Sequence, residues 1–236
     1  MGRAFEYRKA SKLKRWGAMS KLFPKLGKVI TMAAKEGGTD PDLNPRLRTA
    51  ILNAKAENMP KDNIEAAIKR ATAKDASDMT EVTFEGKGPH GVLVFVECAT
   101  DNNTRTVANI KNHFNKNGGE MLNKGSLEFM FSRKAIFEFN KTDDMDLEEL
   151  ELELIDAGLE EIEEEDGIVL VTADYKDFGT LNEAFERLHI ELSKANLQRI
   201  ANTPITLTAQ QQEEVDKMLQ KLEEDDDVQE VFTNIG

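Results

Sequence analysis

The chain has 236 residues, of which 39% are apolar and 32% charged, so it can build more than one small core, and no apolar run is long enough to span a membrane as a helix. A single cysteine, Cys98, excludes an internal disulfide framework and fits a reducing, cytoplasmic setting. The net charge of −13 is sorted by position: residues 1–35 carry ten Lys/Arg against Glu6 alone, residues 36–76 balance at seven and seven, and residues 77–236 carry 14 bases against 36 acids. A basic arm on an acidic body attracts phosphate at one end and repels it at the other, and so binds a polyanion in one orientation.

The arm is Lys-rich and Ser-poor and runs into a helical pattern, unlike a transit peptide, and Glu6 stands where a myristoylation signal needs Ser or Thr. Ser20 can cap a helix with Leu22, Leu26, Val29 and Ala33 on its buried face, ending at Gly37-Gly38, while Lys21, Lys25, Lys28 and Lys35 share another face. Asn44-Pro45 is an N-cap followed by proline at the first helical position, with Leu47, Ile51 and Ala54 behind it. Pro60 opens a third helix on Ile64, Ile68 and Ala71, and the polar stretch Ala73 to Asp78 reads as a linker.

Beyond the linker the period becomes alternating. Val82 to Phe84 and Val92 to Cys98 read as strands joined by the Gly-rich segment Glu85 to Gly91, followed by a helix on Val107, Ile110 and Phe114 and a third strand at Ser126 to Phe131. Residues 133–204 have the complete order βαββαβ of a ferredoxin-like unit: strand Ala135 to Phe139, helix Leu147 to Ala157, strands Leu159 to Glu163 and Ile168 to Thr172, helix Phe178 to Leu188, and a strand near Glu191 to Arg199. Thr208 with Gln211 is a capping box that opens a helix on Val215, Leu219 and Leu222, and Val228 to Phe232 is a last strand. This gives an α+β protein with an N-terminal three-helix domain, residues 1–76, and two ferredoxin-like α+β domains. The acidic βαββαβ unit, 133–204, is inserted in a discontinuous domain of 77–132 plus 205–236.

Few residues invite a catalytic reading. The Gly-rich segment is followed by a strand, whereas a phosphate loop feeds a helix, so a tight hairpin is the simpler account and Lys87 and His90 are its candidate polar contacts. His90, His113 and His189 have no metal-ligand spacing, and no cofactor is expected. Cys98 alternates with Val94 and Val96 on a buried strand face, so packing explains it better than nucleophilic chemistry. Glu97 lies on the other face with Leu93 and Phe95, and an ion pair with Arg105 is expected. The acidic run from Asp143 to Asp166 contains no base; it reads as solvated faces and leaves room for a basic protein partner.

The strongest signal is the arm, where Arg3, Arg8, Lys9, Lys12, Lys14 and Arg15 surround Phe5, Tyr7 and Trp16, mixing cations with rings that can stack on bases. The candidate nucleic-acid contacts are those six bases with Lys21, Lys25, Lys28, Arg46 and Arg48, and secondarily Lys87, His90 and Arg105 near the Gly-rich segment. A helix-turn-helix made of the second and third helices is electrostatically wrong, because Asp62 and Glu65 in the first turn of its recognition helix would face the phosphate-walled groove.

Several segments together resemble the YebC/PmpR family, whose members include a mitochondrial translational activator. They are Ala33-Ala34-Lys35-Glu36-Gly37-Gly38, Asn44-Pro45-Arg46-Leu47-Arg48, Asn58-Met59-Pro60-Lys61-Asp62-Asn63-Ile64, Phe84-Glu85-Gly86-Lys87-Gly88-Pro89, Val96-Glu97-Cys98 and Thr100-Asp101-Asn102-Asn103-Thr104-Arg105-Thr106. The resemblance implies three domains and a non-enzymatic regulator of gene expression, a cytoplasmic DNA-binding transcriptional regulator first, a ribosome- or RNA-associated translation factor second. The family's usual N-terminal Gly-His-Ser-Lys-Trp is replaced here by Gly2-Arg3-Ala4-Phe5-Glu6-Tyr7, so any role of that motif does not carry over.

Overall fold

The computed structural model describes residues 22–73 and 78–236. Among the described residues three helices come first: α1 (Leu22–Gly37), α2 (Pro45–Ala56) and α3 (Lys61–Arg70). They enclose Ile30, Ala33, Leu47, Ala54 and Ala67, so the buried stripe of α1 is centred on Ile30, one residue beyond the expected Val29. One side chain fixes the α1–α2 corner. Asn44 Oδ1 accepts the Leu47 N–H at 3.0 Å, capping α2, while its Nδ2 donates to the carbonyls of Ala33 and Gly38, both at 2.8 Å, at the end of α1. Gly37 is required there, because a Cβ would stand 2.7 Å from Asn44 Nδ2.

The first sheet contains β1 (Thr80–Lys87), β2 (Leu93–Thr100), β3 (Glu120–Leu122) and β8 (Val228–Thr233), antiparallel throughout in the order β3-β1-β2-β8. Helices α4 (Asn103–Lys116) and α7 (Ala209–Glu223) cover one face of it and bury Val94, Val96, Cys98, Ile110, Phe114, Met218 and Leu222. The second sheet contains β4 (Phe131–Asn140), β5 (Leu159–Glu165), β6 (Ile168–Asp174) and β7 (Leu192–Ala201) in the order β5-β6-β4-β7, again antiparallel. Helices α5 (Leu147–Ile155) and α6 (Phe178–Arg187) close it over Phe137, Phe139, Leu154, Leu181 and Phe185. The class is α+β, as the alternation of periods implies. The second sheet has the ferredoxin-like order, and the first is the same two-layer build completed by the returning α7 and β8. We propose that 77–132 with 205–236 form one domain around 133–204.

The boundary between the sheets is packed. Phe131, the first residue of β4, meets Phe95 edge-on at 5.1 Å and joins Leu127 and Phe232 under the helix-free face of the first sheet. The strand expected at Ser126 to Phe131 is absent; β3 is three residues long and earlier in the chain, and 128–130 is a helical turn. The reason is Glu85, buried on β1, whose carboxylate accepts the backbone N–H groups of Gly125 and Leu127 at 2.7 Å each and holds this segment out of a ladder.

Candidate nucleic-acid interface

The expected hairpin is present, with Lys87 opposite Leu93. Its glycines serve packing: a Cβ on Gly86 would lie 2.3 Å from the Phe114 ring, one on Gly88 2.6 Å from Met218, and one on Gly119 2.7 Å from the Lys87 carbonyl oxygen. Helix α4 therefore sits directly on β1 and α7 on the turn that follows it, where the backbone N–H of Gly88 donates to Val92 O at 2.7 Å. Lys87 is exposed, and His90, in the left-handed region at φ 59°, lies 2.7 Å from Glu214 Oε2.

Of the candidate cations, Arg3, Arg8, Lys9, Lys12, Lys14, Arg15 and Lys21 lie outside the described residues. Lys25 and Lys28 do not face solvent as expected. Lys25 is only 6% exposed, and its ammonium donates to the Glu223 carbonyl at 2.6 Å. Lys28 donates to the Asp226 carbonyl at 2.5 Å and pairs with Asp227 at 3.3 Å. The last carbonyls of a helix have no partner within it and sit at its negative end, so the Lys25 ammonium caps α7, while Lys28 binds the turn between α7 and β8. Periodicity placed the lysines on one face but could not show that an acidic turn covers it. Arg46 pairs with Glu36 and Glu81. Arg48 donates to Pro41 O at 2.9 Å and pairs with Glu186 of α6 at 3.1 Å.

Arg105 belongs to the same joint. It pairs with Asp101 at 2.9 Å and with Asp227 at 2.8 Å, and Asp227 also accepts from Thr106 Oγ1 at 2.9 Å. Burial alone would raise the Asp227 carboxyl, but the hydrogen bonds from Arg105 and Thr106 and the charge of Lys28 outweigh it and hold the group below its ordinary range. Glu97 does not pair with Arg105, against expectation. Its partner is Arg199 of β7, at 3.0 Å, whose guanidinium lies 4.3 Å from the centre of the Phe95 ring. Burial nevertheless raises the Glu97 carboxyl, Arg199 opposing it. Cys98 is buried in the helix-side core, and burial, with Asp225 and Asp227 nearby, pushes its thiol up to about 12.

The helix pair that resembles a helix-turn-helix is held by the body. Asn53 of α2 donates to Ala195 O at 2.8 Å and accepts the Ala195 N–H at 3.1 Å, and Glu57 pairs with Lys194 at 2.5 Å. Asp62 and Glu65 stand exposed at the start of α3, Glu65 at 3.6 Å from Lys61. Exposed bases do remain, Lys55, Lys69 and Arg70 on the helical unit and Lys87, Lys111, Lys116 and Lys124 along the first sheet unit. Among the described residues no three His, Cys, Asp or Glu side chains group as metal ligands, and no helix is long and apolar enough to cross a membrane.

Comparison with known proteins assigns the whole chain. The model of the TACO1/YebC N-terminal domain matches residues 3–74, and that of the TACO1/YebC second and third domain matches residues 79–235. A protein of Sulfurimonas denitrificans named probable transcriptional regulatory protein is 74% identical over the full length of both chains. One of the same name from Sulfurovum is 64% identical, again over all of both chains. The crystal structure of a conserved hypothetical protein from Aquifex aeolicus superposes with a TM-score of 0.74 at 35% identity, covering 92% of this chain and 89% of that one. With models matched on both sides of the linker and relatives this similar from end to end, the chain belongs to the TACO1/YebC family, whose relatives bear the name of transcriptional regulators.

Proposed function

We propose that the chain is a non-enzymatic, nucleic-acid-binding regulator of gene expression that engages its target through the basic arm, with duplex DNA as the first target. The observation that carries this is the division of the cations. Residues 1–21 hold seven Lys/Arg against one acid, whereas Lys25, Lys28, Arg46, Arg48 and Arg105 are taken up by acids and carbonyls of the body. Basic charge is therefore densest in the sequence ahead of α1, with exposed Lys55, Lys69, Arg70, Lys87, Lys111, Lys116 and Lys124 spread over the body, and the net acidic body orients a bound polyanion. The relatives' name, probable transcriptional regulatory protein, is the reason for placing DNA first. A non-enzymatic role is supported by the side chains that would have carried chemistry, since Glu97, Arg105 and Cys98 are each paired or buried in structural positions.

A second reading, RNA or the ribosome as target, is favoured by the acidic start of α3, which suits no groove, and by Phe5, Tyr7 and Trp16 among the arm's cations. The test is affinity against salt. Each neutralised phosphate on duplex DNA contributes a slope of roughly −0.9 in log K against log salt, so reversing Lys12, Lys14 and Arg15 to Glu should flatten the slope by about 2 to 3. An unchanged slope and affinity in a folded triple variant would refute the proposal. Trp16→Ala separates the targets: it should weaken structured RNA by roughly 1 to 3 kcal/mol and leave duplex binding nearly unchanged if RNA is the target.

A further inference from the structure

One aromatic ring is presented to solvent by a segment that the fold holds rigidly. Phe129 is 91% exposed, and Met130 beside it is partly exposed. An unsupported loop tip could carry such a ring by default, but this segment is tied at both ends. Glu85, itself 3% exposed, binds the N–H groups of Gly125 and Leu127. Asn202, just beyond β7, donates its side-chain amide to Phe129 O at 3.0 Å and its backbone N–H to Met130 O at 2.9 Å, while Ser132 Oγ holds the Asn202 side chain at 2.6 Å. On either side Leu127 and Phe131 are buried in the inter-sheet cluster. The backbone thus turns Leu127 and Phe131 in and Phe129 out, with a buried carboxylate committed to the arrangement.

We propose that Phe129 is a stacking platform for an unpaired base of single-stranded RNA, a second contact that rests on the nucleic-acid-binding reading and lies on the body, away from the arm in sequence. The surroundings favour a base over a protein pocket. Lys124 and Arg133 flank the ring in sequence and are exposed, outnumbering the one acid of the segment, Glu128. At the same end of β4, Arg133 lies 4.6 Å from the centre of the part-exposed Tyr175 ring, with Lys176 at 5.9 Å. Rings interleaved with cations bind single strands because every unpaired base offers a face and a phosphate, whereas a duplex hides its faces.

The test uses the full chain with a short oligouridine, the matching single-stranded DNA and a DNA duplex. Phe129→Ala should weaken oligouridine binding roughly 5- to 150-fold, the size of one lost stack, with an unchanged salt slope and unchanged duplex affinity, and Phe129→Trp should restore it. Irradiation with thiouridine-labelled RNA should mark the tryptic peptide Gly125–Arg133 of the wild-type chain. Wild-type affinity in Phe129→Ala, in a protein whose arm variant has lost binding, would overturn the platform and leave the arm's role standing. A loss confined to single-stranded DNA would overturn the assignment to RNA. A wild-type chain that binds none of the three probes would overturn both readings.

Discussion

Replacing Asp227 by Asn tests the joint between the helical unit and the first sheet. The Asp227 side chain is 6% exposed and gathers Arg105, Thr106 Oγ1 and Lys28, so it is the acceptor through which α1, α4 and the turn before β8 meet. Asparagine keeps the shape and an acceptor for Thr106 but loses the charge that Arg105 and Lys28 face. Removing one member of a buried pair costs about 3 to 5 kcal/mol when the other is stranded. Here Arg105 is 47% exposed and keeps Asp101, and Lys28 keeps the Asp226 carbonyl, so both remain solvated or bonded. The loss should therefore be smaller, about 2 kcal/mol, the charge-assisted part of two hydrogen bonds. Because the folded carboxyl titrates below its unfolded value, its contribution is complete above the ordinary carboxylate range, near pH 4, and is lost as pH falls through the folded pKa. Urea unfolding of both proteins from neutral to acid pH, with hydrogen exchange at residues 99–106 to localise the change, should show a gap that closes below about pH 4. A gap under about 0.5 kcal/mol at neutral pH, the size of an ordinary surface change, or one that persists undiminished in acid, would refute this account.

Three further outcomes follow from the same geometry. A double-mutant cycle on Glu97 and Arg199 by urea unfolding should give a coupling of about 1 to 3 kcal/mol, while the cycle on Glu97 and Arg105 should give none. Gly86→Ala should destabilise by about 2 kcal/mol or more, since its Cβ would enter the Phe114 ring; adding Phe114→Leu should recover part of that loss in thermal melts. Lys25→Glu with Lys28→Glu should lower the melting temperature and raise exchange at the end of α7 and in the turn after it before any change in nucleic-acid affinity is read, because Lys25 caps that helix and Lys28 binds that turn.

Features that rest on local spacing were legible in the sequence. Asn44-Pro45 and the Thr208–Gln211 box each announce a helix start through residues within one turn, and both caps are formed. The order of the second sheet was legible because its six elements follow one another without interruption. What escaped was long-range. Glu97 was correctly placed beside Leu93 and Phe95 and correctly expected to be paired, but its partner is 102 residues away, and nothing near Arg199 marks it. The apolar alternation of Leu127, Phe129 and Phe131 imitates a strand, and only the remote carboxylate of Glu85 turns it into a tethered loop. Lys25 and Lys28 were correctly placed on one face, but the carbonyls of Glu223 and Asp226 that meet it are some 198 residues away and appear only when α1 is laid against the end of α7.

That placement changes the meaning of the charge asymmetry. Had Lys25 and Lys28 pointed to solvent, the basic surface would have continued along α1 and merged with Arg46 and Arg48 into one face of the helical unit. Instead the cations of residues 25–48 neutralise acids of the body, and the exchange does two jobs. It fixes α1 to the end of α7 and to the turn before β8, and it leaves those acids neutralised by bases of the folded unit. Glu148, Glu149, Glu151 and Glu153 of α5 stand exposed outside that joint, and at physiological salt their repulsion acts on a polyanion only within about a Debye length, roughly 8 Å, of that helix.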